Sequence, residues 1–418
     1  MFAKTLAENQ NPRSTNLAAG VRELLHSQRG AAERRISGAG CEEPPLHILL
    51  LATTTADYSI EYANALAGRV RLTLLAPETL LGPYVSVLDG RIELHLLRWP
   101  RHRSLRNPLF LVRLVALIRR LRPDVVHFLA EGVTWLALIT PALRGYGLVT
   151  TMHDVSYHPG DHESRRVPRR FADWLVGQSD RVIVHGDALQ SDAERKYERV
   201  RGRIGVLPHV QIRRYLQIAQ AERMRRSQSP SINVLFFGRI YAYKGLDVLI
   251  RAIPAVAEQF PRIAVTIAGA GNEFEKYRQL IADHRYFDVR NRRIPDQETA
   301  QLFTAADIVV LPYREASQSG VLAIANTFGK SVIVTNVGEL GRSVENGVSG
   351  LVVPAGDATA LAEAILRLAR DAELRARLGD AGRRAGLETA SPDRVADMAI
   401  EIYRQAARSQ VRAALPSA

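Results

Sequence analysis

The run Val234-Leu-Phe-Phe-Gly-Arg-Ile-Tyr-Ala-Tyr-Lys-Gly-Leu-Asp247 places two cations, Arg239 and Lys244, in a short loop. An apolar strand pattern ends at Gly238 on one side of it, and a helical pattern starts near Gly245 on the other. A helix N-terminus at such a strand end presents free N–H groups that favour anions. Arginine adds a planar fork and lysine a movable point charge, a pair suited to two linked phosphates. Taken alone, the loop reads equally well as an exposed turn. A second polar cluster, Gln318-Ser319-Gly320-Val321, offers side-chain groups and backbone N–H donors at another helix start. It suits phosphate or sugar hydroxyls, and Ser319 is equally suited to cap the helix from Val321. A third, Thr151-Met152-His153-Asp154 with His158 and Gly160 close behind, puts titratable groups at the end of an apolar run.

The elements that must position these residues alternate throughout the chain. Short aliphatic runs at 46–52, 70–75, 91–97, 125–128, 147–152, 181–184 and 204–207 are separated by amphipathic stretches. A helix carries Tyr58 and Tyr62, and another spans 108–121 and stops at Pro123, whose ring forbids continuation. After a polar, Arg-rich stretch a second series begins: strands at 232–237, 263–268, 308–311, 331–335 and 351–353, with helices at 245–259, 273–284, 321–328 and 359–369. A tail helix spans 394–407. Alternation of this kind predicts parallel α/β sheets. The boundaries expected are a flexible lead over 1–45, a first domain over 46–210, a linker over 211–231, a second domain over 232–390 and a helix over 391–410 crossing back to the first. Two such units imply a cleft, where ligands bind.

With 418 residues, 46% hydrophobic and 24% charged, the composition is that of an ordinary globular protein of two domains. The lead lacks an apolar core of the secretory kind, and no apolar run reaches the length of a membrane span. The single cysteine, Cys41, excludes an internal disulfide and suits a reducing, cytoplasmic compartment. A net charge of +13 calls for an anionic partner. Its arginines cluster at 98–103, 119–122 and 165–170, two of the clusters beside apolar helical stretches, which suits an anionic membrane surface such as the inner face of the cytoplasmic membrane. Nucleic acid is the less suitable partner, because no zinc spacing, helix-turn-helix or basic-aromatic stacking pattern is present.

In order and spacing, residues 232–357 resemble the donor domain of family 4 of the GT-B glycosyltransferases, the retaining group that includes many bacterial polysaccharide-building enzymes. The matching segments are Phe237-Gly238-Arg239 with Lys244-Gly245, Ile267-Ala268-Gly269-Ala270-Gly271, Ile294-Pro295-Asp296, 305–313, Gly329-Lys330 onward to Thr335, and Asn346-Gly347 onward to Pro354. The first half matches more loosely, through Pro123 to Phe128 and Thr150 to Asp154. The resemblance implies two Rossmann-like doubly wound domains facing across a cleft and a nucleoside-diphosphate sugar as donor. It implies His153, Arg239 and Lys244 as catalytic residues. Donor-binding candidates are Gly238, Gly269, Ile294, Glu315, Gln318, Ser319, Gly320 and Val321; acceptor-side candidates are Asp57, Tyr58, Asp154 and His158. His185 and His209, in similar strand-end segments, read as packing or hinge elements.

Two departures from the family pattern stand out. Where many members carry two glutamates eight residues apart, this chain has Ala316 and Ile324, and Glu315 lies one residue from the first position. The loop Thr53 to Asp57 lacks the usual glycine pair. No Asp-x-Asp triplet occurs, so no metal of the kind held by that motif is expected; the cations neutralise the departing diphosphate instead. The resemblance further implies transfer with retention and without a carboxylate nucleophile, to a glycan or lipid-linked acceptor. A non-catalytic sugar-nucleotide binder and a nucleotide-sugar epimerase of the same fold are the competing readings.

Overall fold

Leu-, Ile- and Val-rich runs pair into two wholly parallel sheets in a computed structural model. It describes residues 45–414 apart from 54, 102–103, 132–135, 157–167, 227–229 and 282, with side chains described through residue 409. The first sheet comprises β1 (His47–Leu51), β2 (Arg71–Pro77), β3 (Glu93–Leu97), β4 (Val125–Phe128), β5 (Gly147–Thr151), β6 (Arg181–Val184) and β7 (Ile204–Val206), in the order β3-β2-β1-β4-β5-β6-β7. The second comprises β8 (Ile232–Phe237), β9 (Ile263–Ala268), β10 (Phe287–Arg290), β11 (Ile308–Leu311), β12 (Ser331–Thr335) and β13 (Leu351–Val353), in the order β10-β9-β8-β11-β12-β13. Every residue of β1, β4, β5, β11 and β12 is buried, as expected of strands covered by helices on both faces.

Strand order reverses between β1 and β4 and again between β8 and β11. Loops leaving the carboxyl ends of such strands diverge to opposite faces and open a crevice, so these are the two points where a ligand is expected. The helices that follow are α1 (Ala56–Leu66) after β1, α2 (Asn107–Leu121) before β4 and α3 (Asp187–Lys196) after β6. Between the sheets lies α4 (Arg214–Ala221), followed by α5 (Leu246–Gln259) after β8, α6 (Asp296–Ala305) before β11 and α7 (Gly320–Thr327) after it. The chain closes with α8 (Ala358–Arg370), α9 (Ala372–Ala390) and α10 (Pro392–Ala414).

Several elements differ from the sequence expectation. The stretch read as a polar linker contains α4, whose Tyr215 and Ala219, with the preceding Ile212, bury themselves in the core of the second sheet. Their spacing is helical, but the intervening Arg and Gln residues hide it. The helix expected over 273–284 shortens to Phe274–Arg278, and β10, α3, α6 and α9 are among the additions to the expected elements. On α2, Leu109, Val112 and Arg113 face solvent, so the second basic cluster borders an apolar stripe. Among the described residues no helix is long and apolar enough to cross a membrane.

The last helix returns to the first sheet. Val395, Ala396, Ala399, Tyr403 and Ala406 of α10 are wholly buried in the core that contains Ile48, Tyr58 and Tyr62. A buried chain of polar groups fixes its register: Tyr62 and Tyr403 hydroxyls meet at 2.7 Å, Tyr403 Oη lies 2.7 Å from His127 Nδ1, and His127 Nε2 lies 2.8 Å from Thr151 Oγ1. Burial pushes the His127 imidazole down to about 3, with the neighbouring His153 adding to the shift. The unfolded chain binds a proton at His127 near the ordinary histidine value, 6.5, while the folded chain refuses it until about 3. The unfolded state therefore holds more protons throughout that window, and stability falls as pH falls through it. Urea unfolding is expected to show a lower midpoint at pH 5 than at pH 7, with the gap narrowed in His127→Gln; an equal gap in the variant would contradict this origin.

Candidate functional site

Gly245 ends the cationic loop in the left-handed region, φ 64°, and a Cβ there would lie 1.9 Å from the Pro312 carbonyl oxygen, so only glycine lets the loop after β8 press against the loop after β11. Asp247 and Arg314 lock the same two loops with paired bonds of 2.7 and 2.8 Å. Gly269 performs the same service one strand over, its missing side chain admitting the Gly238 carbonyl oxygen. The loops after β8, β9 and β11 are thereby packed together at the switch point of the second sheet.

Lys244 is the product of that packing. Its side chain is buried (8% exposed), and its ammonium donates to Tyr313 Oη at 2.7 Å while lying 4.3 Å from the centre of the Tyr313 ring. Burial alone would weaken the ammonium, but the oxygens of Tyr313 and Tyr243 outweigh it and hold the group above its ordinary value. It is therefore charged throughout the physiological range. Tyr313 Oη also lies 3.4 Å from Ser319 Oγ, which in turn accepts the Leu322 N–H as the cap of α7. A Cβ built on Gly238 would meet Val321 at 3.5 Å and the Lys244 ammonium at 3.6 Å. Gly238, Lys244, Ser319 and Val321 thus converge on one spot, with Tyr313 at its centre.

Arg239 is exposed, its guanidinium stacked 5.1 Å from the centre of the Tyr241 ring. The Tyr243 hydroxyl ties it to the rest. Burial first, then Tyr313 and Asp154, push that hydroxyl up, while Lys244 and Arg239 pull it down. Both cations and the first-domain carboxylate of Asp154 are therefore within electrostatic reach of that one hydroxyl.

The first domain contributes a histidine cluster. His153 follows β5, His185 follows β6 and His209 follows β7, and Tyr58 lies 5.0, 5.3 and 5.1 Å from their ring centres. His209 reaches the second domain: its Nε2 would lie 4.0 Å from a Cβ on Gly320. Burial lowers His209 to about 4. Glu131, at the end of β4, accepts the backbone N–H groups of His153 and Asp154, both at 3.1 Å.

Other candidates are placed elsewhere. Asp57 pairs with Arg214 at 2.7 Å and accepts from Tyr215 Oη. Arg214 also pairs with Asp296 at 2.6 Å, and Glu61 accepts the backbone N–H groups of Arg213 and Arg214. That group, centred on the buried Arg214, straps α1 to α6 across α4, so Asp57 serves the joint between domains. Tyr58 is buried inside the histidine cluster and presents no face to solvent. Ile294 packs partly buried against the second core, after β10. Glu315 is exposed and lines a cleft of about 350 Å³ between the domains, together with Val155, Ser156, Asp192 and Glu339. Gln318 Oε1 is buried without a hydrogen-bond partner among the described residues. His158 lies outside the described residues. Tyr243, Tyr313, Glu131 and Arg214 are the participants that sequence reasoning missed. Tyr243 stands beside Lys244 in the motif, but its relation to Tyr313 depends on the pairing of β8 with β11.

Comparison with known proteins identifies the family and the fold. Residues 231–371 match the family described as glycosyl transferases group 1, and residues 56–210 match glycosyltransferase family 4. A D-inositol 3-phosphate glycosyltransferase of Saccharomonospora viridis is 30% identical over 306 residues, which cover 68% of this chain and 70% of that protein. Among solved structures, sucrose-phosphate synthase from Thermosynechococcus elongatus superposes with a TM-score of 0.68 at 18% identity, covering 87% of this chain and 100% of the other. The Anabaena protein HepE, in complex with UDP-glucose, superposes with a TM-score of 0.63 at 18% identity, covering 87% and 99%.

Proposed function

Because the chain belongs to family 4 of the GT-B glycosyltransferases, we propose that it transfers a sugar from a nucleoside-diphosphate donor to a glycan or lipid-linked acceptor, with retention. The observation that carries the donor assignment is the buried, charged Lys244 at the switch point of the second sheet, beside the capped start of α7. A buried cation without a carboxylate partner is costly unless an anion joins it. Among the described residues no carboxylate forms an ion pair with Lys244, and a donor diphosphate supplies the missing charge.

On this reading the acceptor hydroxyl oxygen bonds to the anomeric carbon as the bond from that carbon to the diphosphate oxygen breaks. The hydroxyl proton passes to the departing phosphate oxygen, on the same face of the sugar. Negative charge grows on the diphosphate as the bond lengthens, and Lys244, Arg239 and the N–H groups opening α7 are already in place to offset it. No metal is required in this proposal, and no protein carboxylate attacks. The buried amide oxygen of Gln318 suits a hydroxyl donor on the sugar. Closure of the two halves excludes water from the reaction.

The interdomain cleft speaks to the acceptor. Among the described residues Asp192, Glu315 and Glu339 line it; Asp192 pairs with Arg195, Glu339 accepts the Ala188 N–H, and the lining arginine, Arg314, is engaged by Asp247. Burial holds the Glu339 carboxyl above its ordinary value, so this wall already resists negative charge. A phosphorylated acceptor would bring further negative charge to a wall of carboxyl groups, whereas uncharged sugar hydroxyls would find hydrogen-bond acceptors. We therefore favour a neutral glycan terminus over the inositol phosphate named for the Saccharomonospora viridis relative. With a common donor, neutral glycans are expected to be used at least about tenfold better than D-inositol 3-phosphate, a difference of about 1.4 kcal/mol; the reverse preference would contradict the reading of the cleft.

Replacing Arg239 or Lys244 by alanine is expected to lower kcat/KM at least about 100-fold, roughly 3 kcal/mol each. Steady-state turnover of the preferred nucleotide sugar measures this. Near-normal rates in both variants would remove the cations from the mechanism.

A further inference from the structure

The histidines at the ends of β5 and β6 are linked end to end between two carbonyl groups. His153 Nε2 lies 2.9 Å from the Leu129 carbonyl oxygen, and His185 Nδ1 lies 2.9 Å from the Leu207 carbonyl oxygen. Between the rings, His185 Nε2 and His153 Nδ1 are 3.1 Å apart. A carbonyl oxygen only accepts, so each outer ring nitrogen must carry a proton. In two neutral imidazoles those are the only ring protons available. The inner nitrogens would then oppose two lone pairs at hydrogen-bond distance, in a buried setting where such a contact is costly. Both rings are buried, so water does not resolve the conflict from outside. A third proton between the rings does.

We infer that His153 and His185 form one unit holding three ring protons and a single positive charge, with His185 as the positioning residue that keeps His153 doubly protonated. Burial first, and then His153 and His209, hold the His185 imidazole well below its ordinary value, so the extra proton belongs on His153. The groups around the pair accommodate that charge. The Glu131 carboxylate accepts the backbone N–H of His153, and the Tyr58 ring packs edge-on against the His153 ring, 5.0 Å between centres. His127 and His209 are both held neutral by burial at physiological pH. Asp154 faces the second domain, and Arg169 donates to its backbone oxygen at 2.8 Å and to that of Val155.

The catalytic consequence rests on the glycosyl-transfer reading. It places a cation in the first-domain histidine cluster, whose His209 reaches Gly320 at the start of α7, where it adds to the field acting on the departing diphosphate. The proton count does not rest on that reading and is tested apart from it.

Two substitutions separate the roles of the His185 nitrogens. In His185→Asn the amide reaches the Nδ1 position and keeps the Leu207 bond but leaves His153 Nδ1 without an acceptor; in His185→Gln the amide oxygen reaches the Nε2 position and restores one. Nitrogen-15 spectra of the full-length protein, labelled at histidine, are expected to show both His153 nitrogens protonated at pH 7, one of them lost in His185→Asn and regained in His185→Gln. One proton on each ring in the wild type overturns the proposal, and that spectrum decides even if His185→Asn fails to fold. With the preferred donor, kcat of folded His185→Asn is expected to fall about tenfold with KM little changed. His185→Gln is expected to restore kcat along with the second ring proton. Unchanged kcat in folded His185→Asn overturns the positioning role. Absence of turnover by the wild type with every nucleotide sugar would instead sink the glycosyl-transfer reading and leave the proton count, read from the spectra, unaffected.

Discussion

A lysine ammonium buried without a carboxylate partner among the described residues is the constraint on which the rest of this structure depends. Lys244 is 8% exposed and leans on the oxygens of Tyr313 and Tyr243 for what water no longer provides. Holding it there demands a glycine with φ of 64° at Gly245, a backbone pressed against Pro312, and the Asp247–Arg314 lock between neighbouring loops. These features serve one end. They keep a positive charge at the switch point of a parallel sheet, beside a helix start, ready for an anion that arrives with its own negative charge.

The first domain answers that charge from across the gap. His153, His185 and His209 come from three successive strand ends and are gathered round Tyr58, while Glu131 pins the His153–Asp154 backbone. Two buried polar networks relate the halves. Arg214 binds Asp57 on one domain and Asp296 on the other, and the Tyr62–Tyr403–His127–Thr151 chain anchors the returning C-terminal helix. Removing one member of such a network would leave buried groups unsatisfied, which costs more than the single bond lost.

The sheets are legible in the sequence because doubly covered parallel strands are continuous aliphatic runs, as at His47–Leu51 and Ile308–Leu311, broken by glycine and proline. Arg239 and Lys244 are legible from their place between strand and helix. What resists reading is any contact between residues far apart in the chain. Tyr313 next to Lys244, and Asp57 next to Arg214, follow from strand order and domain packing, which no local pattern encodes. Helix α4 is hidden because it is only eight residues long and is flanked by polar, arginine-rich sequence. Asp57 resembles an acceptor contact from its place after β1, yet the cation of Arg214 draws it into the joint between domains. Glu315, one residue from an expected carboxylate, lines the interdomain cleft rather than the cluster around Lys244.

The most direct test of the buried cation is calorimetric titration of the nucleoside diphosphate that best raises the melting temperature among UDP, GDP, ADP and TDP, into the wild type and into Lys244→Met. The diphosphate is expected to bind the variant at least about tenfold more weakly, about 1.4 kcal/mol, while the corresponding nucleoside binds both alike. Equal diphosphate affinity in the two proteins would contradict the account.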